Sequence, residues 1–446
     1  MGESFAEFGA LAIAAQRTRR DLDDLKQNTP ADGLITGVGD VNGTLVGQEN
    51  ARTVIMAYDY TVLAGTQGYY NHRKTDRMIE IAHQSKNPIV FFTEGGGGRP
   101  GDTDTGKIGM SGVDCTSFGS FAGLSGHVPI IGVNAGRCFA GNAAFLATTD
   151  IIIATENSNI GMGGPAMIEG GGLGTYTPEE VGPIDVQTAS GVVDLVAKDE
   201  ADAVRLAKQS LSYFQGTVKD WTAPDARVLR HIVPENRLRI YDVRDAIKGL
   251  SDEGWMLELR PTYEQGMITA FIRVEGKPLG VVANNPAVLA GAIDAGCADK
   301  AARFMRLCEQ FKLPVLFLCD TPGLMVGPEA EKEGTVRAAG DMFKAAAALS
   351  VPFGSITLRK GYGLGALAMM GGHSRITRFT ISWPTGEFGP MAAAPGKAAT
   401  ELSASSRTSC TRRRPPNRRS EGRSRRPCTD FCLHDCRRGR RRRRGR

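Results

Sequence analysis

The feature that most constrains this chain is that it repeats itself once. Residue n aligned with residue n + 226 needs no gap from Thr61 to Gly97, and eleven of those 37 positions are identical. Val62-Leu63-Ala64-Gly65 falls on Val288-Leu289-Ala290-Gly291, and Lys74 and Arg77 fall on Lys300 and Arg303. Gln84, Lys86, Pro88, Phe91 and Gly97 fall on Gln310, Lys312, Pro314, Phe317 and Gly323. Two copies at so long a period are not a solenoid; they indicate two similar domains.

Both copies carry the same local pattern. Thr75–His83 and Ala301–Phe311 have the apolar spacing of amphipathic helices, with Phe304, Cys308 and Phe311 on one stripe. A proline ends each helix. The runs Ile89-Val90-Phe91-Phe92 and Val315-Leu316-Phe317-Leu318 follow and read as buried strands. Each run leads to an acid and a glycine turn, Glu94-Gly95-Gly96 and Asp320-Thr321-Pro322-Gly323. A second matched pair lies at an offset of 223, where Val128-Pro129 and Val351-Pro352 open further strands. Both then enter glycine turns rich in small residues, Gly136-Arg137-Cys138-Phe139-Ala140-Gly141-Asn142 and Arg359-Lys360-Gly361-Tyr362-Gly363-Leu364-Gly365. The spacing of Ala203, Ala207, Leu211 and Phe214 predicts a helix over Asp199–Phe214. Trp221-Thr222-Ala223-Pro224-Asp225 reads as a linker. The expected division is 1–225, 226–402 and a tail, 403–446.

Charge separates the tail from the rest. The chain has a formal charge of +6, yet seventeen Arg against three acids lie from Ser403 onward. The preceding part is therefore mildly acidic and offers no nucleic-acid footprint. The tail has no apolar period and cannot repay the entropy of ordering its backbone, so it is expected to be disordered. Its arginines would bind phosphates, which is the non-enzyme alternative, but with Phe431 the single aromatic there, basic and aromatic residues are not interleaved. Cys115, Cys138, Cys297, Cys308 and Cys319 lie in apolar segments without ligand spacing and read as buried, reduced thiols. Cys432, His434 and Cys436 lack a second ligand pair, so no metal is expected. No apolar run reaches the length of a membrane span and the N-terminal basic residues follow the apolar stretch, so a cytoplasmic protein is expected.

The two strand–glycine turn–helix junctions are where chemistry is expected. A helix N-terminus offers unpaired N–H groups and partial positive charge. Small residues let a ligand approach that backbone, and aimed amides of this kind stabilise oxygen anions. The two junctions run through Gly136–Ala143 and Arg359–Ala366, one in each copy. Glu94-Gly95-Gly96-Gly97-Gly98-Arg99 and Gly161-Met162-Gly163-Gly164 lack the phosphate-loop pattern, and Gly361–Gly365 lacks dinucleotide spacing. No G-x-S-x-G elbow is present. Neither turn has a positioned Glu of the kind a hydratase or isomerase needs.

On these residues the chain resembles the carboxyltransferase (β) subunits of biotin-dependent acyl-CoA carboxylases of the propionyl-CoA and acetyl-CoA type. The resemblance covers about Glu3 to Met391. It rests on Val41-Asn42-Gly43, Ser190-Gly191-Val192-Val193-Asp194, Arg260-Pro261, Val274-Glu275-Gly276, Val282-Ala283-Asn284-Asn285-Pro286, Lys300-Ala301-Ala302-Arg303-Phe304, Asp320-Thr321-Pro322-Gly323, Arg359-Lys360-Gly361-Tyr362 and Trp383-Pro384-Thr385. It implies an α/β fold of two tandem crotonase-like (ββα spiral) domains. Acyl-CoA would sit on the first, and carboxybiotin would sit on the second domain of a partner protomer. Carboxybiotin releases CO2, the biotin enolate takes the α-proton of the acyl-CoA, and the thioester enolate attacks CO2. One amide pair, Ala140 and Gly141, would hold the thioester oxygen. The other, Gly363 with Leu364 or Gly365, would hold the ureido oxygen.

Gly96, Gly97, Arg99, Gly163, Gly164 and Tyr362 are the expected ligand-binding residues, with no metal. The implied partners are a biotin carboxyl carrier protein, a biotin carboxylase subunit and further copies of the chain, dimer-based and up to a hexamer. A biotin-dependent decarboxylase is the second enzymatic reading. The chain departs from the family's usual residues at Phe139, Asn142 and 94–99, and beyond Met391 the family continues differently. A reading-frame change or misassigned end near 391 is the expectation there, and an inactive truncated homologue is a further alternative.

Overall fold

The structure is a computed structural model, and it describes residues 4–102, 104, 114–236 and 239–391. The tail, 403–446, and its expected disorder lie outside the described residues. Two mixed sheets carry the fold. The first has β1 (Ala6–Phe8), β2 (Leu34–Asp40), β3 (Arg52–Tyr58), β4 (Ile89–Phe92), β5 (Ile130–Asn134), β7 (Ile151–Thr155) and β9 (Leu195–Ala197), in that spatial order. A two-stranded ribbon, β6 (Arg137–Phe139) with β8 (Asn159–Gly161), stands beside it. The second sheet has β10 (Leu257–Leu259), β11 (Met267–Val274), β12 (Lys277–Asn284), β13 (Val315–Thr321), β14 (Phe353–Tyr362) and β15 (Thr380–Ser382), with β16 (Glu387–Gly389) also on β14.

The repeat is reproduced in the register of the strands. β1-β2-β3 and β10-β11-β12 are antiparallel, and every later pair is parallel. Val54 pairs with Ile89 in the first sheet, and Gly280 pairs with Val315 in the second, both displaced by 226. Ile89 then pairs with Ile130, and Val315 with Phe353, so the offset falls to 223 between these strands. The isolated bridges Gln67–Gly98 and Ile293–Leu324 are again displaced by 226. Even the left-handed residues repeat: Ala64 (φ 55°) matches Ala290 (φ 54°), and Lys86 (φ 57°) matches Lys312 (φ 57°).

The helices that position the site are α1 (Tyr69–Ser85), α2 (Ser117–Ala122), α3 (Gly141–Ala147), α4 (Pro165–Gly170), α5 (Glu200–Ser212), α6 (Ala295–Gln310), α7 (Thr335–Ala347) and α8 (Gly363–Ala368). α1 and α6 begin about two turns before the apolar period becomes visible. The Asp294 carboxylate caps α6 by accepting the Cys297 amide at 2.8 Å. α5 keeps its predicted extent, capped by Asp199 and with Ala203, Ala207 and Leu211 buried. One continuous core joins the halves: Ile131, Ile151 and Ile153 of the first sheet, Leu206 and Leu211 of α5, and Phe271, Val282 and Phe304 of the second copy. Each such side chain contributes about 1.5–3 kcal/mol on burial.

Two buried lysines hold equivalent turns. Lys74 Nζ donates to Ala31 O at 2.8 Å and to Leu34 O, and Lys300 Nζ donates to Arg260 O at 2.8 Å and Tyr263 O at 2.6 Å. Burial pushes both down to about 8 from their ordinary value. Between about pH 8 and 10.4 the unfolded chain therefore holds more protons than the folded one, and stability rises with pH across that window. Lys300→Met removes one such proton. It is expected to lower the slope of unfolding free energy against pH by up to about 1.4 kcal/mol per unit. Urea unfolding of parent and variant at pH 8, 9 and 10 checks this; parallel slopes would refute it.

Candidate functional site

The site is built where β6 meets α3 and where β14 meets α8. At the first junction Ala140 adopts φ 51°, ψ −119°. An alanine rarely adopts that conformation, and it turns the chain sharply from strand into helix. At the second junction the equivalent residue, Gly363, has φ 58°. These are two strand–elbow–helix turns at the same place in each copy. The residue after each elbow lies in the first turn of a helix: Gly141 opens α3, and Leu364 is the second residue of α8. Neither amide meets a protein acceptor among the described residues. Gly141 is partly exposed and Leu364 is 61% exposed. Gly365, one residue further, is buried in the first turn of α8.

A glycine loop covers each elbow. In the first copy the Gly95 amide donates to Arg137 O, the Gly96 amide to Ala64 O, and the Gly97 amide to Asn142 Oδ1 at 3.0 Å. The Gly98 amide has no acceptor among the described residues, and Gly98 is exposed. A Cβ at Gly97 would lie 3.5 Å from the Gly141 nitrogen, so loop and elbow are in direct contact. In the second copy Leu324 holds the position of Gly98, and its amide is likewise without an acceptor among the described residues. Sequence reasoning missed Gly98 and Leu324; the usable signal was their displacement by 226.

The predicted residues fall into three groups. Gly141, Gly363, Leu364, Gly365, Gly96 and Gly97 lie at the two elbows and their loops. Ala140 lies there too, but its amide donates to Gly161 O at 3.0 Å. Gly163 and Gly164 follow β8 and lead into α4, with Gly164 against the Phe139 ring. Tyr362 precedes α8, and its hydroxyl donates to Glu387 Oε2 at 2.6 Å. Arg99 is committed elsewhere. Its guanidinium meets Asp32 Oδ1 at 2.5 Å and Thr66 O at 2.8 Å, with both charged side chains buried. It fastens the loop to the turn before β2.

Asn142 explains one departure noted in the sequence. Its amide accepts from Gly97 and donates to Gly65 O (3.3 Å) and Glu94 O (3.4 Å), tying α3 to the loop. The acids beneath each loop are also occupied. Burial pushes Glu94 up, and its Oε1 accepts the Ala135 amide at 2.9 Å. Its counterpart Asp320 is fully buried and accepts from Tyr241 OH at 2.8 Å, Arg359 Nε at 3.2 Å and the Lys360 amide at 3.2 Å. The arrangement can hold negative charge on oxygen at two backbone sites, and it leaves neither acid poised for proton transfer. Among the described residues no helix is long and apolar enough to cross a membrane.

The chain is similar to known proteins over most of its length. The carboxyl transferase domain model matches residues 2–426. The methylmalonyl-CoA carboxyltransferase 12S subunit of Propionibacterium freudenreichii subsp. shermanii is 34% identical over 400 residues, 87% of this chain and 73% of that protein. The biotin-dependent long chain acyl-coenzyme A carboxylase beta4 subunit of Mycobacterium tuberculosis is 32% identical over 402 residues, 86% of this chain and 72% of that protein. A solved single-chain, multi-domain long-chain acyl-CoA carboxylase is 56% identical with a TM-score of 0.86; the match covers 94% of this chain and 40% of that one. The transcarboxylase 12S structure with methylmalonyl-CoA and methylmalonic acid bound, described as a hexamer assembly, is 32% identical with a TM-score of 0.77, covering 91% and 76%. With two ββα copies, two elbows and a domain match over nearly its whole length, the chain belongs to the carboxyl transferase domain family.

Proposed function

We propose that this chain transfers a carboxyl group from carboxybiotin on a carrier protein to the α-carbon of an acyl-CoA. The observation that carries the reading is the duplicated elbow, with one amide after each turn and another on each covering loop that meet no acceptor among the described residues. The relatives named above are carboxyltransferases and acyl-CoA carboxylase subunits, which supports it.

In this reading 1–225 is the acyl-CoA side and 226–402 the biotin side. Gly141 and Gly98 hold the thioester oxygen as the α-proton leaves and negative charge moves onto it. Ala140 contributes the turn rather than a donor. Gly96, Gly97, Gly163 and Gly164 line the approach, and Arg99 fixes the loop. Leu364 and Leu324 hold the ureido oxygen, while Gly363 and Gly365 shape that turn beside Tyr362. Carboxybiotin supplies the CO2 when bound. Each amide is preorganised, so it costs no reorganisation at the moment of reaction, and loss of one such donor typically costs about 10²–10³ in rate. Glu94 and Asp320, the acids beneath the two loops, are both occupied, so neither serves as the acid or base that hydratase chemistry needs. The proposed partners are a biotin carboxylase, a biotin carboxyl carrier and further copies of this chain.

The test combines the chain with a biotin carboxylase, a biotinylated carrier, ATP and radiolabelled bicarbonate. Label is expected in the carboxylated product of at least one acyl-CoA from a panel of chain lengths. A folded chain that incorporates none with any of them would defeat the proposal.

A further inference from the structure

The two copies meet around a polar cavity of about 240 Å³, against the roughly 30 Å³ that a water occupies in the liquid. The first copy lines it with Thr149 and Asp150, at the entry of β7, and the second with Arg260, which follows β10, and Arg303 and Arg306 of α6. No residue of either elbow or covering loop borders it. The repeat shows what is unusual here. Arg303 and Arg306 stand where Arg77 and Glu80 stand in α1, displaced by 226. In α1 those two positions form an ion pair, Arg77 Nη1 to Glu80 Oε2 at 2.6 Å. In α6 the acid is replaced by a second arginine, so like charges share one helix face, which is unfavourable without a counter-charge. Both arginines are exposed, and neither makes a hydrogen bond or an ion pair among the described residues. Asp341 of α7, whose carboxylate feels the charge of Arg306, is paired with Lys344 at 2.8 Å.

Arg260 adds a buried cation. Its side chain is 7% exposed, and Nη2 lies 2.6 Å from Asp194 Oδ1. Its Nε, also buried, has no acceptor among the described residues. The acids nearby are partly spent. Asp194 Oδ2 accepts the Ile152 amide at 2.8 Å, and Asp150 Oδ2 accepts the Ile130 amide at 2.8 Å. Burial pushes the Asp150 carboxyl up to about 7, so near neutral pH it carries only part of a negative charge. The hydroxyls of Thr148, Thr149 and Thr269 donate to the carbonyls of Phe145, Leu146 and Leu259. The donors left to the cavity are chiefly guanidinium N–H groups, and these call for an acceptor that carries negative charge. We propose that the cavity binds a compact oxyanion of the phosphate class, free or as the phosphoryl end of a small metabolite, between Arg260 and Arg303, with Arg306 as a further counter-charge. The planar guanidinium fork matches such oxygens in geometry as well as charge. Bound there, the anion ties α6 to the Asp194–Arg260 pair and so joins the two copies. The inference stands independently of the acyl-CoA reading.

Titration of the full chain at pH 7 with inorganic phosphate, and separately with glycerol 3-phosphate, in chloride buffer of constant ionic strength tests this. Saturable one-site binding of at least one of them is expected, and the tighter of the two shows which source the cavity fits. Arg303→Met is expected to weaken that binding at least about tenfold, through loss of its charged hydrogen bonds. Because Arg303 is exposed, the substitution leaves the core intact. Arg77→Met, the same change at the matching position of α1, is expected to keep the parent affinity. No saturable binding of either anion, or equal affinity in Arg303→Met and the parent, would overturn the proposal.

Discussion

Gly97→Ala should lower carboxyl transfer by about 10²–10³-fold, the cost of losing one preorganised donor. Gly97 has φ +88°, a region an alanine enters only with strain. The added Cβ would lie 2.6 Å from the Ala140 Cβ and 3.3 Å from Phe139 O. Neither neighbour can yield easily: Ala140 is already in a strained conformation, and its amide is fixed to Gly161 O. The loop must lift, carrying Gly98 away from the Gly141 amide and breaking the Gly97–Asn142 hydrogen bond. Overpacking of this kind costs about 1–3 kcal/mol, which leaves a domain of this size folded. The measurement is steady-state carboxylation with saturating carrier, beside Gly170→Ala as a control, since a Cβ there meets nothing within 4 Å. A Gly97→Ala rate equal to the control's would show that loop contact does not hold the elbow.

The legibility of this fold divides along physical lines. The repeat was visible because backbone turns and strand ends demand particular residues, so Val62–Gly65 and Lys86-x-Pro88 were kept in both copies. Buried four-residue runs such as Ile89–Phe92 were visible because β-strand burial leaves a compositional trace. The starts of α1 and α6 were not, since their first turns contain little apolar period and depend on packing for stability. The elbows could be located from small residues alone, yet the occupancy of each amide could not. Ala140 loses its donor to Gly161, which reaches it only because β6 pairs with β8. Arg99 reads as a ligand-binding residue because its partner, Asp32, lies 67 positions earlier in the sequence. Cys115 reads as a buried thiol like the others, yet it is only partly buried, since its exposure depends on how the segment before α2 packs on α1 and no local pattern encodes that.

The second elbow responds to a different substitution, and the contrast separates the two half-reactions. Position 365 corresponds to Asn142 at the 223 offset, but the two sites are filled in opposite ways. In the first copy a whole amide side chain bridges helix and loop. In the second the loop backbone closes directly onto the helix: a Cβ at Gly365 would lie 2.7 Å from the Gly323 carbonyl carbon, 2.8 Å from its Cα and 3.0 Å from the Leu324 nitrogen. Those are backbone atoms and cannot rotate away. Gly365→Ala must therefore displace the Leu324 amide from the Leu364 amide, and the carboxybiotin half-reaction is expected to fall by about 10²–10³-fold. With acyl-CoA on the first elbow, as proposed, its affinity is expected to stay at the parent value. Decarboxylation of carboxybiotin without acyl-CoA reads the first quantity, and calorimetric titration of acyl-CoA reads the second. The reverse result, weakened acyl-CoA binding with the biotin half-reaction intact, would mean that the two copies exchange roles. Each elbow would then still hold an oxygen anion, but the anion of the other substrate.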